Sequence, residues 1–402
     1  MNRWRFLAAC LMNMGNGIND GAPGAIIPYM EKYYNIGYAI VSLIFIGNAV
    51  GFITAAFFVD ALRARLSRAH LMIAAQGCML AAYIPLVVGA PFPVIVVSFF
   101  LLGFGMATNL TLNTLFCGSL RNGTTLLGAL HGAYGLGGMV GPILATAMVS
   151  SIGWDLWYRF YLIPMSLAAF SLVFSAWSFA HYERDNPAIA EHEASSQQAT
   201  YDTVKVRLAS MFHALRRRLV FLGALFTFAY QGAEVSISGW VISFLVDVRD
   251  VANPEAVGYV TAGFWAGITV GRFVLSSLSQ RVGEELFVYV MTIGAACFQL
   301  LVWFVPNIVG NAVSLAIVGL LLGPIYPCAA TVFLRGMSSK SRTSGIAIIT
   351  AFGSSGGAVA PFATGMIAQA SGTWVLHPIA LTLFAGMIGC WFFLSSRSKR
   401  QD

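Results

Sequence analysis

Long apolar segments recur along the whole chain and constrain its fold more than any other feature. We count twelve of them, each about 20 residues or longer, the length that an α-helix needs to cross a hydrocarbon core of about 30 Å. Backbone groups in lipid must be paired within the segment, which favours helices. Hydrophobic residues make up 58% of the chain and charged residues 10%, whereas a soluble domain has roughly 25% charged residues. The sequence predicts an all-α polytopic membrane protein.

The predicted spans form two groups of six on either side of a polar stretch. We predict an N-terminal six-helix bundle over 1–180, a cytoplasmic linker over 181–218 and a C-terminal six-helix bundle over 219–402. The later part of the linker, 202–215, has a pattern compatible with a surface helix. The twelve spans are predicted at 5–31, 38–60, 69–90, 93–117, 124–151, 156–180, 219–247, 255–279, 285–305, 308–334, 343–371 and 374–395.

Lysine and arginine are distributed unevenly over the loops. With the N-terminus in the cytoplasm, almost all of them lie inside, and the outer loops keep only Lys32 and Arg249. Cytoplasmic loops carry such an excess. The sequence therefore predicts cytoplasmic termini, and we expect a multi-pass protein of the plasma membrane. The net charge of +7 reflects this topology, and it does not indicate nucleic-acid binding.

The two halves repeat each other at an offset of about 219 residues. The run Gly137–Pro142 in the fifth span matches Gly356–Pro361 in the eleventh, and Gly47 and Gly51 match Gly267 and Gly271. Small residues of this kind predict close helix packing. Two repeats around a central loop are the layout in which substrate binds near the midplane, between halves that rock.

The first span contains an unusual polar stretch, 14–24, with four glycines, two asparagines, Asp20 and Pro23. A carboxylate at bilayer depth costs roughly 2.5–3.5 kcal/mol on insertion scales, so it normally faces a bundle interior or a wet cavity. Glu234 lies near the middle of the seventh span, the repeat equivalent of the first. Two carboxylates facing one cavity would equip a proton-coupled carrier, and His131 in the fifth span is a further candidate for proton relay.

Polar and aromatic residues of the spans could form the rest of a binding cavity. Alternatives are interhelical hydrogen bonding for the polar groups and packing for the aromatic ones. Arg272, near the cytoplasmic end of the eighth span, fits a gating salt bridge better than substrate binding. The predicted substrate-binding residues are Asn16, Asn19, Asn109, Asn113, Tyr134, Gln231, Trp240, Trp265 and Tyr326, and the predicted gating residues are Arg272, Asp60 and Arg63.

Nothing in the sequence indicates an enzyme. It contains no glycine-rich phosphate loop ending in Lys-Ser/Thr, so we expect no ATP-driven step. The cysteines and histidines lack metal-ligand spacing, so we expect neither metal nor cofactor.

The arrangement of spans resembles the major facilitator superfamily over nearly the whole chain. Basic residues follow the second and eighth spans, as in that family's loop motif, although the motif is degenerate here. Asn19-Asp20, the segment 130–137 and the segment Tyr230–Trp240 are similar to the fucose:proton symporter branch and its eukaryotic relatives. This resemblance implies twelve helices in two pseudo-symmetric halves and a monomer, with Asp20 as a protonation site coupled to sugar. Bacterial fucose carriers also place a glutamate in the fourth span, where this chain reads Ala107-Thr108-Asn109, so Glu234 is the candidate to replace it.

The leading hypothesis is a proton-coupled secondary transporter that moves a small polar solute, a monosaccharide first, by alternating access. Its partners would be the solute, protons and the lipid bilayer. The alternatives are a proton-antiport exporter of drugs or secondary metabolites, and a non-transporting sensor with the same fold.

Overall fold

The computed structural model describes residues 1–63, 65–120, 123–185, 215–251, 257–337 and 339–398. All regular structure in these ranges is helical. Most of the predicted linker lies outside them, and so does nearly all of the surface helix that we predicted over 202–215.

The first half of the chain begins with a helix that is interrupted in mid-span. The interruption falls at Ala22, between the first helix and the second. A 3₁₀ helix, Trp154–Tyr161, precedes α8. The helices are α1 (Asn2–Gly21), α2 (Pro23–Tyr34), α3 (Tyr38–Val41), α4 (Leu43–Arg63), α5 (Arg68–Val87), α6 (Phe92–Gly118), α7 (Gly123–Ile152), α8 (Leu162–Phe179) and α9 (Tyr182–Asp185).

The second half follows a similar plan, and a short 3₁₀ helix, Thr373–Val375, precedes its last helix. Each predicted span corresponds to one helix or to two consecutive ones. The helices are α10 (Arg218–Val248), α11 (Tyr259–Val274), α12 (Ser276–Val282), α13 (Glu284–Phe304), α14 (Ile308–Leu322), α15 (Ile325–Gly336), α16 (Ser339–Ser371) and α17 (Leu376–Ser398).

In the part of the chain that the structure describes, nine helical segments are long and apolar enough to cross a membrane. The first, eighth and eleventh predicted spans are not among them. The first is interrupted at Ala22, the eighth breaks after Val274, and α16 is rich in glycine and serine. These three spans carry Asp20, Arg272 and the second glycine run.

The chain divides into two compact units. Unit 1 comprises Met1–Asn35 and Leu43–Asp202, and unit 2 comprises Ile36–Ser42 and Thr203–Asp402. The segment Ile36–Ser42, which lies in the first half of the chain, packs with the second unit. There, Tyr38 donates a hydrogen bond to Asp247, and the Tyr38 ring lies edge-on against Trp240 with centroids 5.7 Å apart.

Glycines bring the backbones of helices into contact at equivalent places in both units. In unit 1, a Cβ atom on Gly51 would lie 2.1 Å from the Phe100 carbonyl oxygen, so α4 and α6 touch there. In unit 2, a Cβ atom on Gly271 would lie 2.1 Å from the Leu320 carbonyl oxygen, where α11 meets α14. The repeat predicted from Gly51 and Gly271 is thus a repeat of helix contacts.

A buried arginine fixes the N-terminal end of unit 1. Arg5 is 1% exposed and donates to the Ser178 carbonyl oxygen at 2.9 Å and to the Asp185 carboxylate at 2.5 Å. Two guanidinium groups lie over the Tyr182 ring, that of Arg5 at 5.2 Å from the ring centroid and that of Arg68 at 4.5 Å. These contacts hold α9 against α1 and α5. Because Arg5 donates to it, the pKa of the Asp185 carboxyl is lowered from its ordinary value.

Candidate functional site

The interruption of the first span lies next to Asp20. Ala22 keeps helical backbone angles and donates to the Ile18 carbonyl. Pro23 has no N–H to offer the Asn19 carbonyl, so the helical ladder stops there. The sequence therefore produces a break in the helix within a few residues of Asp20.

Asp20 is held against α7. The Tyr134 hydroxyl donates to Asp20 Oδ2 at 2.6 Å, and Asp20 is half-buried. Glycines make this approach possible, since a Cβ on Gly17 would lie 2.0 Å from the Tyr134 carbonyl oxygen, and one on Gly137 would lie 2.0 Å from the Met14 carbonyl oxygen. Direct backbone contact thus brings together two of the predicted site residues.

The predicted asparagines of the first span point into unit 1. Asn19 is 6% exposed and donates to the Tyr83 hydroxyl and to the Gly15 carbonyl oxygen. Asn16 is 2% exposed and donates to the Met106 carbonyl oxygen at 3.4 Å. Both side chains therefore link helices of one bundle, and substrate contact stays a prediction for them.

Asn109 and Asn113 on α6 are buried as well, each at 0% exposure. The Asn109 amide donates to Met79 Sδ at 3.4 Å. Neither polar atom of Asn113 has a hydrogen-bond partner among the described residues. These two side chains also lie inside the bundle, and substrate contact stays a prediction for them as well.

An ion pair joins two predicted site residues of unit 2. Arg272 Nη2 on α11 lies 3.6 Å from Glu234 Oε2 on α10, and the side chains are 22% and 2% exposed. The distance is longer than that of a hydrogen-bonded pair. Glu234, which we assigned to proton coupling, and Arg272, which we assigned to gating, thus form one electrostatic unit.

Two tyrosines lie beside this ion pair, and other predicted aromatic residues of unit 2 are buried. Tyr230 lies one turn before Glu234 on α10 and stacks on Tyr326 with ring centroids 5.8 Å apart. Trp240 is 1% exposed and donates its indole N–H to the Pro361 carbonyl oxygen at 2.8 Å. Trp265 is 2% exposed and Gln231 is half-buried. The hydrogen bond to Pro361 gives Trp240 a packing role, whether or not it also contacts substrate.

The remaining predicted residues lie closer to solvent or outside the description. His131 is exposed on α7, three residues before Tyr134, so the two share a helix face. Arg63 is half-buried at the end of α4. The side chain of Asp60 is outside the described residues. Among the groups that the structure describes, no set of three metal-ligating side chains comes together.

The sequence matches a known protein family over most of its length. The family model described as Major Facilitator Superfamily matches residues 9–361. The chain belongs to this superfamily. Its members are transporters and not enzymes, so the chain is a multi-pass membrane protein whose partner is a small-molecule substrate.

Related proteins of the superfamily occur in yeast and bacteria. "Bypass of stop codon protein 6" of Saccharomyces cerevisiae is 28% identical, with 91% of this chain and 77% of the relative covered. A glucose/galactose transporter of Brucella abortus is 24% identical, with 90% and 89% covered. The glucose/mannose transporter GlcP of Bacillus subtilis is 21% identical, with 92% and 88% covered.

Solved structures of major facilitator transporters share the fold. A D-xylose-proton symporter matches with a TM-score of 0.76 at 12% identity, covering 96% of each chain. A mutant of the nucleoside transporter NupG matches with a TM-score of 0.74 at 13% identity, covering 98% of this chain and 99% of its own. The predicted fold class, two six-helix halves of the major facilitator type, is confirmed.

Two further residues lie next to the predicted site residues and were not predicted from the sequence. Asn13 is 0% exposed and donates to the Leu130 carbonyl oxygen at 2.9 Å. Its position three residues before Asn16 was a usable signal, since residues three apart lie on one helix face. Tyr230 precedes Glu234 by four residues, which the same rule would have flagged.

Proposed function

We propose that this chain is a proton-coupled transporter of a monosaccharide, with Asp20 as its proton-carrying group. The observation that carries the proposal is the hydrogen bond from Tyr134 to a half-buried carboxylate beside the break in the first span. An ionisable group within a membrane span is a functional candidate by default. Asp20 lies beside a break in the helical hydrogen-bond ladder, and we place its proton exchange there.

The sugar part of the proposal has support from relatives. The names of two relatives that match about nine-tenths of this chain refer to glucose transport, and the name of a fold neighbour refers to xylose–proton symport. Hydroxyl-rich solutes suit the polar and aromatic side chains predicted here, since aromatic rings stack and amides hydrogen-bond. We therefore place a hexose or pentose first among candidate substrates.

Glu234 and Arg272 have a coupled role in this proposal. If Glu234 takes up a proton, the ion pair loses its attraction and Arg272 is released from it. A buried charge without its partner is costly, so protonation favours a rearrangement around Arg272. The pair thus connects proton binding at Glu234 to gating by Arg272, alongside the predicted gating residues Asp60 and Arg63.

His131 lies on the same face of α7 as Tyr134, the hydrogen-bond partner of Asp20. His131 is exposed and lies one turn before Tyr134, and an imidazole exchanges protons near neutral pH. We assign His131 to proton exchange with solvent. We further propose a monomer in the plasma membrane. We also propose that both termini are cytoplasmic, an orientation supported by the excess of Lys and Arg in the predicted inner loops.

Transport in liposomes of known orientation tests the proposal. Purified protein is reconstituted with an internal pH dye, and hexoses, pentoses and hydrophobic cations are added one at a time. We expect proton entry on addition of a sugar. Proton exit from acid-loaded vesicles on addition of a hydrophobic cation, without any response to sugar, would support the exporter. Ligand binding without either flux would support a sensor.

A further inference from the structure

Five buried asparagines gather inside unit 1. Asn13, Asn16 and Asn19 recur every third residue on α1, and Asn109 and Asn113 lie one turn apart on α6. Their exposed fractions run from 0% to 6%. Because Asn16 donates to the carbonyl of Met106, one turn before Asn109, the two helices meet at this level. We call these five residues the asparagine seam.

The seam has one consistent orientation. Four of its amide groups donate to the protein, namely those of Asn13 to Leu130, Asn16 to Met106, Asn19 to Gly15 and Tyr83, and Asn109 to Met79. The carbonyl oxygens of all five receive no hydrogen bond from any group that the structure describes. Buried acceptors without donors are unfavourable and rare in native proteins. The seam therefore presents a row of acceptors that a donor-bearing ligand would satisfy.

A small cavity beside the seam has room for a small donor-bearing ligand. It measures about 10 Å³ and is lined by Gly15, Tyr83 and Ser171, among others. Tyr83 accepts from Asn19, so its own hydrogen is available to a neighbour. The Ser171 hydroxyl has no partner among the described residues. A space of this size holds about one water molecule, and water needs two to four polar partners.

Uncharged carboxamides favour a neutral donor over a cation at this place. The carboxylate nearest along the chain, Asp20, has its Oδ2 atom directed to the Tyr134 hydroxyl on α7. Carbonyl oxygens and hydroxyls accept hydrogen bonds from water without changing their own protonation. The chemistry of the seam therefore fits water molecules, each of which can accept one proton and pass on another.

We propose that the asparagine seam binds ordered water, including one molecule in this cavity, and that this water carries the proton between Asp20 and the N-terminal end of α1. The proposal rests on the proposed function. The seam starts next to Asp20 and ends at Asn13, about 10 Å away along the helix at 1.5 Å per residue. There Asn13 bonds to the Leu130 carbonyl, and the next residue, His131, is exposed. The proton leaves the Asp20 carboxyl group, passes from water to water and reaches solvent, so no redox partner is needed.

Two transport assays separate this role from substrate binding. Uptake of D-glucose driven by a pH gradient requires the proton to leave Asp20 in every cycle. Counterflow of D-glucose at equal pH exchanges sugar without net proton release. In Asn13→Leu, we expect pH-driven uptake to fall by about tenfold or more, since a positioned proton-transfer path contributes at least that much. Counterflow should stay within about twofold of the unmodified protein.

Two further variants control for folding. Asn13→Ser keeps a polar group and leaves room for water, so it should retain most of the pH-driven uptake. Gln299→Leu removes a buried carboxamide of unit 2 that bonds to His377, and it should leave the ratio of the two assays unchanged. Thermal melts identify any variant whose loss is due to unfolding.

Each other outcome has a definite meaning. Equal loss of counterflow and pH-driven uptake in Asn13→Leu would place the seam in the substrate site and overturn the proposal, and unchanged pH-driven uptake would overturn it too. If uptake by the unmodified protein follows a Na⁺ gradient at constant pH, the seam binds a cation instead of water and the proposal is overturned. If no sugar moves protons in the unmodified protein, the proposed function itself fails and the seam's role fails with it.

Discussion

Tyr134 donates its hydroxyl to Asp20 at 2.6 Å, although the two residues lie 114 positions apart in the chain. The bond connects the break in the first span to α7. It couples the group proposed to carry the proton to a helix whose glycines contact the first span directly. We therefore expect a change of protonation at Asp20 to act on the contact between α1 and α7.

Tyr134→Phe tests this bond, because it removes the hydroxyl and keeps the ring. Hydrogen bonds to charged groups contribute about 1.5–3 kcal/mol, so we expect sugar-dependent proton entry to fall by about tenfold. Initial rates of dye quenching measure the effect. Tyr158→Phe, in the 3₁₀ helix before α8, is the control and should behave as the unmodified protein. Equal rates in both variants would show that the hydroxyl has no role in coupling.

The ion pair between Glu234 and Arg272 predicts non-additive stability effects. Glu234→Gln or Arg272→Gln leaves one charge without its partner. Removing one member of a buried pair costs about 3–5 kcal/mol, and we expect less here because Arg272 is 22% exposed. The double variant should melt above the less stable single variant. Thermal melts of all four proteins give the coupling directly, and additive losses would mean that the pair contributes nothing.

Glu234→Gln also separates the two proposed roles of the pair. If Glu234 takes part in proton coupling, this variant should lose pH-driven sugar uptake even under conditions in which it remains folded. Full pH-driven uptake in Glu234→Gln would contradict a transport role for Glu234, and the ion pair would then be a structural contact only.

Close packing of glycine predicts which alanine substitutions are harmful. A Cβ on Gly17 would lie 2.0 Å from a backbone oxygen of α7, whereas one on Gly77 meets nothing within 4 Å. Gly17→Ala must therefore push the two helices apart, and overpacking of this kind costs typically about 1–3 kcal/mol. Gly77→Ala should be neutral or stabilising by up to about 1 kcal/mol, because alanine favours the helix. Equal melting temperatures for the two variants would contradict the contact between α1 and α7.

The sequence was sufficient to predict the helices, because the length and apolarity of each span are local properties. The equivalence of glycine positions in the two halves was also predictable, since Gly51 and Gly271 repeat at the same offset in the sequence. The contacts of Asp20 were not, because spacing along the first span does not determine which helix its carboxylate meets. The contact of Arg272 with Glu234 was not predictable either. The two residues lie 38 positions apart, and their contact depends on which face α11 turns towards α10.

The repeat offset also qualifies the comparison of the two carboxylates. With an offset of about 219 residues, Glu234 corresponds to Gly15 and lies five positions from the equivalent of Asp20. Five positions are about 7.5 Å along a helix. The two groups therefore occupy different depths in their repeats, and only the contacts in the structure show that each has its own partner.

Acid should remove the contribution of Asp185. Its carboxyl pKa is lowered by the hydrogen bond from Arg5, so the stabilisation is present above the ordinary value of 3.8 and is lost as the pH falls through the lower folded-state value. Asp185→Asn should lower the melting temperature at neutral pH. The difference between variant and unmodified protein should shrink below pH 3.8. A difference that stays constant with pH would show that charge on Asp185 is not involved.

The most direct test of the account is proton movement in Asp20→Asn. The unmodified protein and the variant are reconstituted in liposomes with an internal pH dye, and D-glucose, D-galactose and D-xylose are added in turn. We predict that a sugar drives proton entry in the unmodified protein, and that Asp20→Asn abolishes this entry while counterflow of the same sugar continues. Proton entry at the unmodified rate in Asp20→Asn would contradict the account.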